Sequence, residues 1–493
     1  MTLRPALIVC LLAAPLGAGE VKIDLRETQL FLDDAIIEHS TLLQRTVHQP
    51  VRSSRNPIYV PEAPWEGGTM NYLGGVHRDE NTRKFRAWYV GRIGRTPDLP
   101  KVSFPICLLE SDDGLRWRRP DLDVQRELTG GLNNILLDMG DGCTGAPSVI
   151  QDSTDPTRRW KFLIHHSTNT RCRDYRVSMA SSLDGVNWRW ETGPGAGVKA
   201  GSMNDRLTAT FDPANGGSFL LFSRGRGKYN HRVRTIYRAR LSRDGRSLLD
   251  EPALALKPDL EDDPSIEFYH MNAFRYGSVY IGYIEVFRAE EPERAEIHLA
   301  VSRDGISWQR VRPRKAFMEP PPRGIEYGQW DAMRSTPTLS APLLHEGALW
   351  IYYYGGQAFH GNRFLKGGEC KMGLAKLRPD GFISLRAGFR EGVLTTKPLE
   401  WPGGRLTVNY REIGGNRTND CYVRAELLDE NGPIPGYTYA ESSLLNGDSL
   451  EGEPSWSGKP QNLDGLIGKK IRLQFYVRHA DLFSFRARGK VKP

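Results

Sequence analysis

Five acidic residues stand at the head of five similar stretches of this chain. Each comes shortly before a run of residues typical of a β-strand. Two such carboxyl groups could together cleave a glycosidic bond, because one protonates the leaving oxygen while the other attacks or activates water. The five are Glu66, Asp141, Asp205, Glu267 and Asp331.

The five acids differ in how closely they approach the following strand. We rank Asp205 and Glu267 first, because each directly precedes a strand and has polar or aromatic neighbours. Glu66 and Asp331 rank next and Asp141 last. Each of the five also has a structural alternative, since acids at loop ends often cap turns or pair with arginines.

The residues around these acids are aromatic or hydrogen-bonding, which suits a sugar. Sugar hydroxyl groups accept and donate hydrogen bonds, and the C–H faces of the ring stack on aromatic side chains. We therefore predict a substrate-binding set formed by Trp65, Asn134, Arg206, Tyr269, His270, Trp330, Arg334 and His360.

A repeated motif, Ser-x-Asp-Gly-x-x-Trp, predicts the elements that position these residues. Complete copies are Ser111–Trp117, Ser182–Trp188 and Ser302–Trp308, and Ser242–Gly245 and Arg378–Gly381 keep only the turn. Asp-Gly between two strand-like runs is a tight hairpin turn, so we interpret the motif's aspartates and tryptophans as structural. The aspartates recur every 60–76 residues. One four-stranded antiparallel sheet per repeat predicts a five-bladed β-propeller.

The sequence divides into four predicted segments. Residues 1–19 read as a signal peptide, and 20–62 as an extended segment that closes the propeller. Residues 63–387 form the five-bladed propeller, and short alternating strands over 388–493 predict a β-sandwich. The predicted fold class is therefore all-β, a five-bladed β-propeller followed by a C-terminal β-sandwich.

Composition and missing motifs exclude several kinds of chemistry. The net charge of +8 is spread along the chain, which argues against a nucleic-acid patch. A mild positive field could attract an anionic polysaccharide, but a solvated surface is the more common meaning of such a charge. We find no metal-ligand spacing, no Gly-x-Ser-x-Gly elbow and no phosphate-binding glycine loop, and we expect no metal and no cofactor. We predict no membrane span after the signal peptide. Cys143 and Cys172 are candidates for a disulfide, since export permits one.

Several phrases together resemble a known group of proteins. They are Asn56-Pro57 before Pro64–Gly68, the motif at Ser111–Trp117, Asn133-Asn134, Glu267–Tyr269, and Trp330-Asp331 leading to Tyr352–Gly356. The chain resembles the five-bladed propeller glycoside hydrolases of families 32 and 43, and more closely exported bacterial proteins described as glycosyl hydrolase or β-fructosidase-like. The resemblance implies three essential acids from the first three blades, by position Glu66, Asp141 and Asp205. The fructosidase phrase Asn-Asp-Pro-Asn is absent.

These observations favour an exported glycoside hydrolase, secreted or periplasmic, that cleaves a poly- or oligosaccharide with paired carboxylates in the central funnel. Two alternatives stay open. One is a carbohydrate-binding propeller without catalysis. The other is a sialidase-like enzyme, a scaffold with six blades and an arginine cluster for the substrate carboxylate.

Overall fold

The computed structural model describes most of the chain as β-strands and turns. The described residues are 23–93, 103–140, 142–168, 174–201, 203, 206–213, 217–226, 233–289, 293–321, 328–357, 369–413, 420–457 and 461–489. Within these ranges the helices are single 3-10 turns at Pro64–Glu66, Arg126–Leu128 and Asp464–Leu466. No helix in these ranges is long and apolar enough to cross a membrane. The predicted all-β fold class is confirmed.

Four short strands precede the repeated units, and three sheets follow, of four, six and four strands. The first strands are β1 (Gln29–Leu30), β2 (Ile37–Thr41), β3 (Gln44–Val47) and β4 (Val51–Arg52). Unit 1 contains β5 (Tyr72–Arg78), β6 (Phe85–Val90), β7 (Pro105–Ser111) and β8 (Ile135–Asp138). Unit 2 contains β9 (Cys143–Thr144), β10 (Ser148–Gln151), β11 (Trp160–Ser167), β12 (Arg176–Ser182), β13 (Arg189–Thr192) and β14 (Val198–Lys199). Unit 3 contains β15 (Leu207–Asp212), β16 (Ser218–Arg226), β17 (Arg234–Leu241) and β18 (Ala253–Leu256).

Two further units complete the set. Unit 4 contains β19 (Ile266–Tyr276), β20 (Val279–Arg288), β21 (Arg294–Ser302) and β22 (Gln309–Arg310). Unit 5 contains β23 (Arg334–Pro337), β24 (Leu343–His345), β25 (Ala348–Gly356) and β26 (Lys371–Leu377). Within the units, most strands that follow one another in the chain pair antiparallel. In unit 2, β9 pairs with β11 and β14 with β12, and in unit 5, β23 and β24 both pair with β25.

Hydrogen bonds between inner strands join the five units into a closed ring. Units 1 and 5 meet where Leu339 N donates to Gly74 O at 3.1 Å, which closes the circle. The other junctions are His77 Nε2 to Val149 O at 2.7 Å, Ala209 N to Ser148 Oγ at 2.9 Å, Thr208 Oγ1 to Met271 O at 2.6 Å, and Asn272 Nδ2 to Thr338 O at 3.0 Å. The beginnings of the inner strands therefore face a common centre.

The Ser-x-Asp-Gly-x-x-Trp motif forms the hairpin turn at the outer side of units 1, 2 and 4. In unit 2, Asp184 Oδ1 accepts from the backbone N–H groups of Val186 and Asn187 at 2.9 and 2.8 Å. The indole of Trp188 donates to Gly185 O at 3.1 Å, and Gly185 takes a positive φ of 78°. The same contacts recur around Asp113 and Asp304. The carboxylate thus satisfies its own turn, as interpreted from the sequence.

The N-terminal strands are shared between the ring and the following domain. Strand β4 pairs with β26 and supplies an outer strand to unit 5. Strands β1 and β3 join one sheet of the following domain by pairing with strands after residue 382. Strand β2 joins the other sheet of that domain in the same way. Among the described residues, the N-terminal segment forms no sixth unit, which a sialidase-like scaffold would need.

The remaining strands build two sheets around one core. They are β27 (Ile383–Ala387), β28 (Gly392–Thr396), β29 (Leu399–Glu400), β30 (Arg405–Glu412), β31 (Tyr422–Asp429), β32 (Gly432–Pro433), β33 (Asp448–Gly452), β34 (Lys470–Arg478) and β35 (Ala480–Arg488). One sheet contains β1, β3, β27, β30, β33 and β35, and the other β2, β28, β29, β31, β32 and β34. Side chains from both sheets, such as Val408 and Phe475, share one hydrophobic core. This β-sandwich begins at Ile383, directly after the fifth Asp-Gly turn.

Candidate active site

Glu66 lies in the 3-10 turn Pro64–Glu66 and is completely buried. Oε1 accepts from the hydroxyl groups of Tyr59, at 2.5 Å, and Tyr89. Oε2 accepts from Ala63 N at 2.7 Å and lies 3.3 Å from an Arg119 nitrogen. Both oxygens therefore bind the protein itself, and these contacts favour a structural role over the predicted catalytic one.

Asp331 is also buried and engaged by the protein. Its Oδ2 lies 2.9 Å from Arg52 Nε and accepts from Tyr353 Oη at 2.9 Å. Because Arg52 belongs to β4, the ion pair fastens the N-terminal strand to unit 5. The ring of Trp330 stacks on Tyr353, with centroids 5.7 Å apart. Asp331 and Trp330 thus form a junction beside unit 5, which favours structural roles for both.

Asn134 and Trp65 bind each other. Asn134 is completely buried, accepts from Trp65 Nε1 at 2.8 Å, and donates to Tyr89 Oη and to Leu108 O. These contacts satisfy the amide. Asn134 therefore supports the same network of unit 1 as Glu66, and the pair does not form an open sugar platform.

Three predicted site residues lie outside the described residues. They are Asp141, Asp205 and His360. Their roles stay predictions.

Glu267 differs from Glu66 and Asp331 in exposure. Its side chain is 13% exposed, against 0% for Glu66 and 4% for Asp331. It lies near the start of β19 and forms an ion pair with Arg234 of unit 3. Among the predicted acids that the structure describes, Glu267 is the one with the most accessible carboxylate.

The predicted residues Arg206, Tyr269, His270 and Arg334 come together at the centre of the ring. Arg206, directly before β15, lies 4.7 Å from the ring centroid of Tyr72 and 4.9 Å from that of Tyr269. It also donates to Tyr354 Oη at 3.1 Å. A single guanidinium of unit 3 thus contacts units 1, 4 and 5, which locates it on the central axis.

Tyr269 is surrounded by guanidinium groups. The Cζ atoms of Arg224, Arg234 and Arg334 lie 4.5, 5.2 and 5.7 Å from its centroid, in addition to Arg206. The register of β19 against β20 shifts between Phe268 and His270, so Tyr269 is the extra residue of a β-bulge. A bulge reorients the side chains of its strand and often occurs beside an active site. We call Tyr269 and these four arginines the arginine cluster.

Glu285, on β20, is the main counter-charge of the arginine cluster. It is completely buried, accepts from Arg334 Nε at 2.9 Å, and its Oε2 lies 3.5 Å from Arg206 Nη2. Burial raises the pKa of Glu285, but Arg334, Arg206 and His270 together hold that pKa well below its usual range. Glu285 is therefore a fixed anion at neutral pH.

His270 completes the cluster from β19. Its Nδ1 lies 3.2 Å from Glu285 Oε2. Burial lowers the pKa of His270, and the positive charges of Arg206 and Arg334 add to this, while Glu285 opposes it. The imidazole is therefore neutral at pH 7 and presents one N–H donor and one acceptor.

Sequence reasoning missed Glu285, Arg224 and Arg234. Glu285 follows a run of apolar residues within a strand rather than preceding one, so a search upstream of the inner strands does not find it. The arginines of residues 224–234 read as surface charge. The sequence did contain a signal for Glu285. A glutamate inside an apolar strand is almost never buried unless it is paired, so its position predicts a positively charged partner.

The described residues hold no group of three or more His, Cys, Asp and Glu side chains arranged to bind a metal ion. Cys143, at the start of unit 2, is disulfide-bonded. Cys107, Cys370 and Cys421 are buried thiols outside any disulfide.

No protein-family model and no curated protein matches this chain. Several solved structures are similar in fold. An N-acetylgalactosamine deacetylase from F. plautii is 16% identical over 68% of this chain and 95% of its own, with a TM-score of 0.44. A GH43_1 enzyme from Xanthomonas citri is 11% identical over 66% and 94%, with a TM-score of 0.41. A fructofuranosidase from Schwanniomyces occidentalis is 9% identical over 89% and 96%, with a TM-score of 0.42. The last two are of the kind that the sequence resembles, but likenesses this distant assign no activity.

Proposed function

We propose that this protein is a glycoside hydrolase whose active site lies at the centre of the ring. The reaction breaks the bond between the anomeric carbon and the bridging oxygen. Water supplies a hydroxyl group to that carbon and a proton to the departing oxygen. Asp205 and Glu267 are the proposed pair of carboxyl groups, one as the acid and the other as the base or nucleophile.

One observation carries this proposal. Glu267 has the most accessible carboxylate among the predicted acids that are described, and through Arg234 it belongs to the cluster around Tyr269. Asp205 directly precedes Arg206, the residue that lies on the central axis. A carboxylate, a buried aromatic ring and several hydrogen-bond donors at one point are what a sugar-cleaving site needs.

Other residues of the cluster would position rather than react. Glu285 cannot supply the acid's proton, because its low pKa keeps it ionised at neutral pH. It instead orients Arg334 and His270. Tyr269 holds the guanidinium groups around its ring, and His270 offers a neutral hydrogen-bonding group.

The test is the release of reducing ends from neutral and acidic polysaccharides by the wild-type protein and by Glu267→Gln and Asp205→Asn. We expect each variant to lower turnover on the cleaved substrate by about 100-fold or more, as loss of an acid or base group does. Glu80→Gln and Asp112→Asn, at exposed turn positions, are matched controls and should retain wild-type turnover. Full activity in both site variants would end the assignment.

A carbohydrate-binding propeller is the second candidate, because Glu66 and Asp331 are both engaged by the protein. Saccharide binding at the cluster, measured by calorimetry, without release of reducing ends from any substrate would favour it.

We also propose export to an oxidising compartment, secreted or periplasmic. The disulfide of Cys143 supports this, because such bonds are rare in reducing cytosol. Cys172 remains its predicted partner. Peptide mapping of the native protein without reductant would detect the Cys143–Cys172 peptide, and free thiols at both positions would contradict the proposal.

A further inference from the structure

Packing alone gives no reason for four guanidinium groups to converge on one tyrosine ring. Their Cζ atoms lie within 4.5–5.7 Å of the Tyr269 centroid. Each cation is attracted by the ring, but the four repel one another, and the repulsion is strong where water is scarce. Tyr269 itself is 3% exposed.

The guanidinium groups of the cluster lie against two of the described carboxylates. Arg206 and Arg334 share the single carboxylate of Glu285, and Arg234 is paired with Glu267. Asp205, which the proposed function assigns to the same site, would add a third carboxylate. An acidic group on a bound sugar would lie among these guanidinium groups and would reduce their mutual repulsion.

Two buried nitrogen atoms at the same place also make no hydrogen bond among the described residues. They are Nε of Arg206 and Nε2 of His270. Buried polar atoms almost always find a partner, and an exception in a cleft indicates a group that a ligand would bind.

The guanidinium groups of the cluster differ in exposure. The side chain of Arg234 is 23% exposed, against 11% for Arg334 and 4% for Arg206. Of these three, Arg234 is therefore the most accessible to a ligand, and Arg224 lies over the same ring.

We propose that the saccharide bound at this site is acidic, and that Arg234, with Arg224 beside it, binds its carboxylate or sulfate group against Tyr269. The inference rests on the proposed function, because it names the substrate class of the same site. Guanidinium groups suit both anions, since their planar fork donates two parallel hydrogen bonds.

The test compares charged and uncharged forms of one sugar. Binding of oligogalacturonide and of its methyl ester to the full-length protein is measured by calorimetry, and a sulfated galactan oligosaccharide distinguishes sulfate from carboxylate. We expect the acid or the sulfated sugar to bind at least about 10-fold more tightly than the uncharged ester, the usual effect of one charge-assisted contact. Equal binding of acidic and uncharged sugars would overturn the inference.

A substitution locates the effect. Arg234→Gln should reduce the preference for the charged sugar by about 10-fold or more, whereas Arg234→Lys should keep part of it. Arg126→Gln, at an exposed arginine, is the matched control and should keep all of it. Because the preference is a ratio of affinities, any general loss of binding in Arg234→Gln cancels. An unchanged preference in a folded Arg234→Gln protein would contradict the assignment.

The two proposals can fail separately. Hydrolysis of a neutral polysaccharide with no preference for charge would leave the proposed function standing and refute the inference. Selective binding of acidic sugars without any cleavage would refute the proposed function and support the preference for an acidic sugar.

Discussion

Carboxylates are held by several partners both in the outer turns and at the ring centre. In the turns the partners are neighbours in the chain, whereas at the centre they come from distant parts of the chain. Asp184 accepts hydrogen bonds from residues two and three positions ahead in its own turn. Glu285 is held by Arg334 of unit 5, Arg206 of unit 3 and His270 of its own unit. The outer carboxylate stabilises one hairpin, whereas the central one joins residues of three units. Loss of the central charge should therefore be felt throughout the ring.

The largest effect is expected from Glu285→Gln. The amide keeps the size of the side chain but leaves Arg206 and Arg334 without their anion. Breaking a buried ion pair in this way costs about 3–5 kcal/mol. Urea unfolding at pH 7, monitored by tryptophan fluorescence, measures the loss. Glu451→Gln, which affects an exposed ion pair in the sandwich, should cost less than about 1 kcal/mol. Similar losses in both variants would remove the distinction between centre and periphery.

A pH effect is expected at the junction between units 1 and 2. Burial lowers the pKa of His77 to about 4, although its contact with Val149 O opposes this. The unfolded chain takes up a proton near pH 6.5 and the folded one only near pH 4, so stability should fall as the pH drops through this window. The contribution of His77 is about 3 kcal/mol.

His77→Gln tests this contribution. The variant should show a flatter dependence of unfolding free energy on pH between 6.5 and 4 than the wild type. An unchanged slope would mean that His77 does not titrate differently in the two states.

The outer turns should be more tolerant. Asp184→Ala removes the acceptor for the Val186 and Asn187 N–H groups, and we expect a loss of about 1–2 kcal/mol. Turnover on the cleaved substrate should be unchanged at temperatures where the variant is folded. A loss of activity without a loss of stability would place this turn in the active site, against our interpretation.

The smallest effect is expected from Trp188→Phe. The ring remains, but the hydrogen bond from the indole to Gly185 O is lost, at a cost of about 1 kcal/mol. Unit 3 has Leu248 at the equivalent place in its degraded motif, so this turn forms without an indole there. Thermal melting of the variant measures the difference, and a cost like that of Glu285→Gln would contradict a local role.

This difference in partners also explains what the sequence could predict. The motif that ends at Trp188 carries its own hydrogen bonds, so its turn and the all-β repeat could be inferred from local spacing. The sequence also pointed to the entries of the inner strands, and Arg206, Tyr269 and Arg334 do lie together there. Their roles in binding stay predictions. Glu66 could not be interpreted locally, because its contact with Tyr89 depends on how unit 1 packs against its lead-in.

The N-terminal segment shows the same limit. The sequence predicted that 20–62 would close the propeller, and β4 does pair with unit 5. The sandwich strands to which β1 to β3 add lie more than 300 residues further along the chain, as Gln29 opposite Phe485 illustrates. No local pattern distinguishes an edge of one sheet from an edge of another.

The most direct measurement is a crystal structure of Glu267→Gln with bound oligogalacturonide. We predict that the sugar lies at the ring centre, with its carboxylate on Arg234. The groove between ring and sandwich, a cavity of about 390 Å³ that includes Tyr276 and Asn409, offers an independent place for comparison. Sugar bound in that groove, with the arginine cluster unoccupied, would contradict the account.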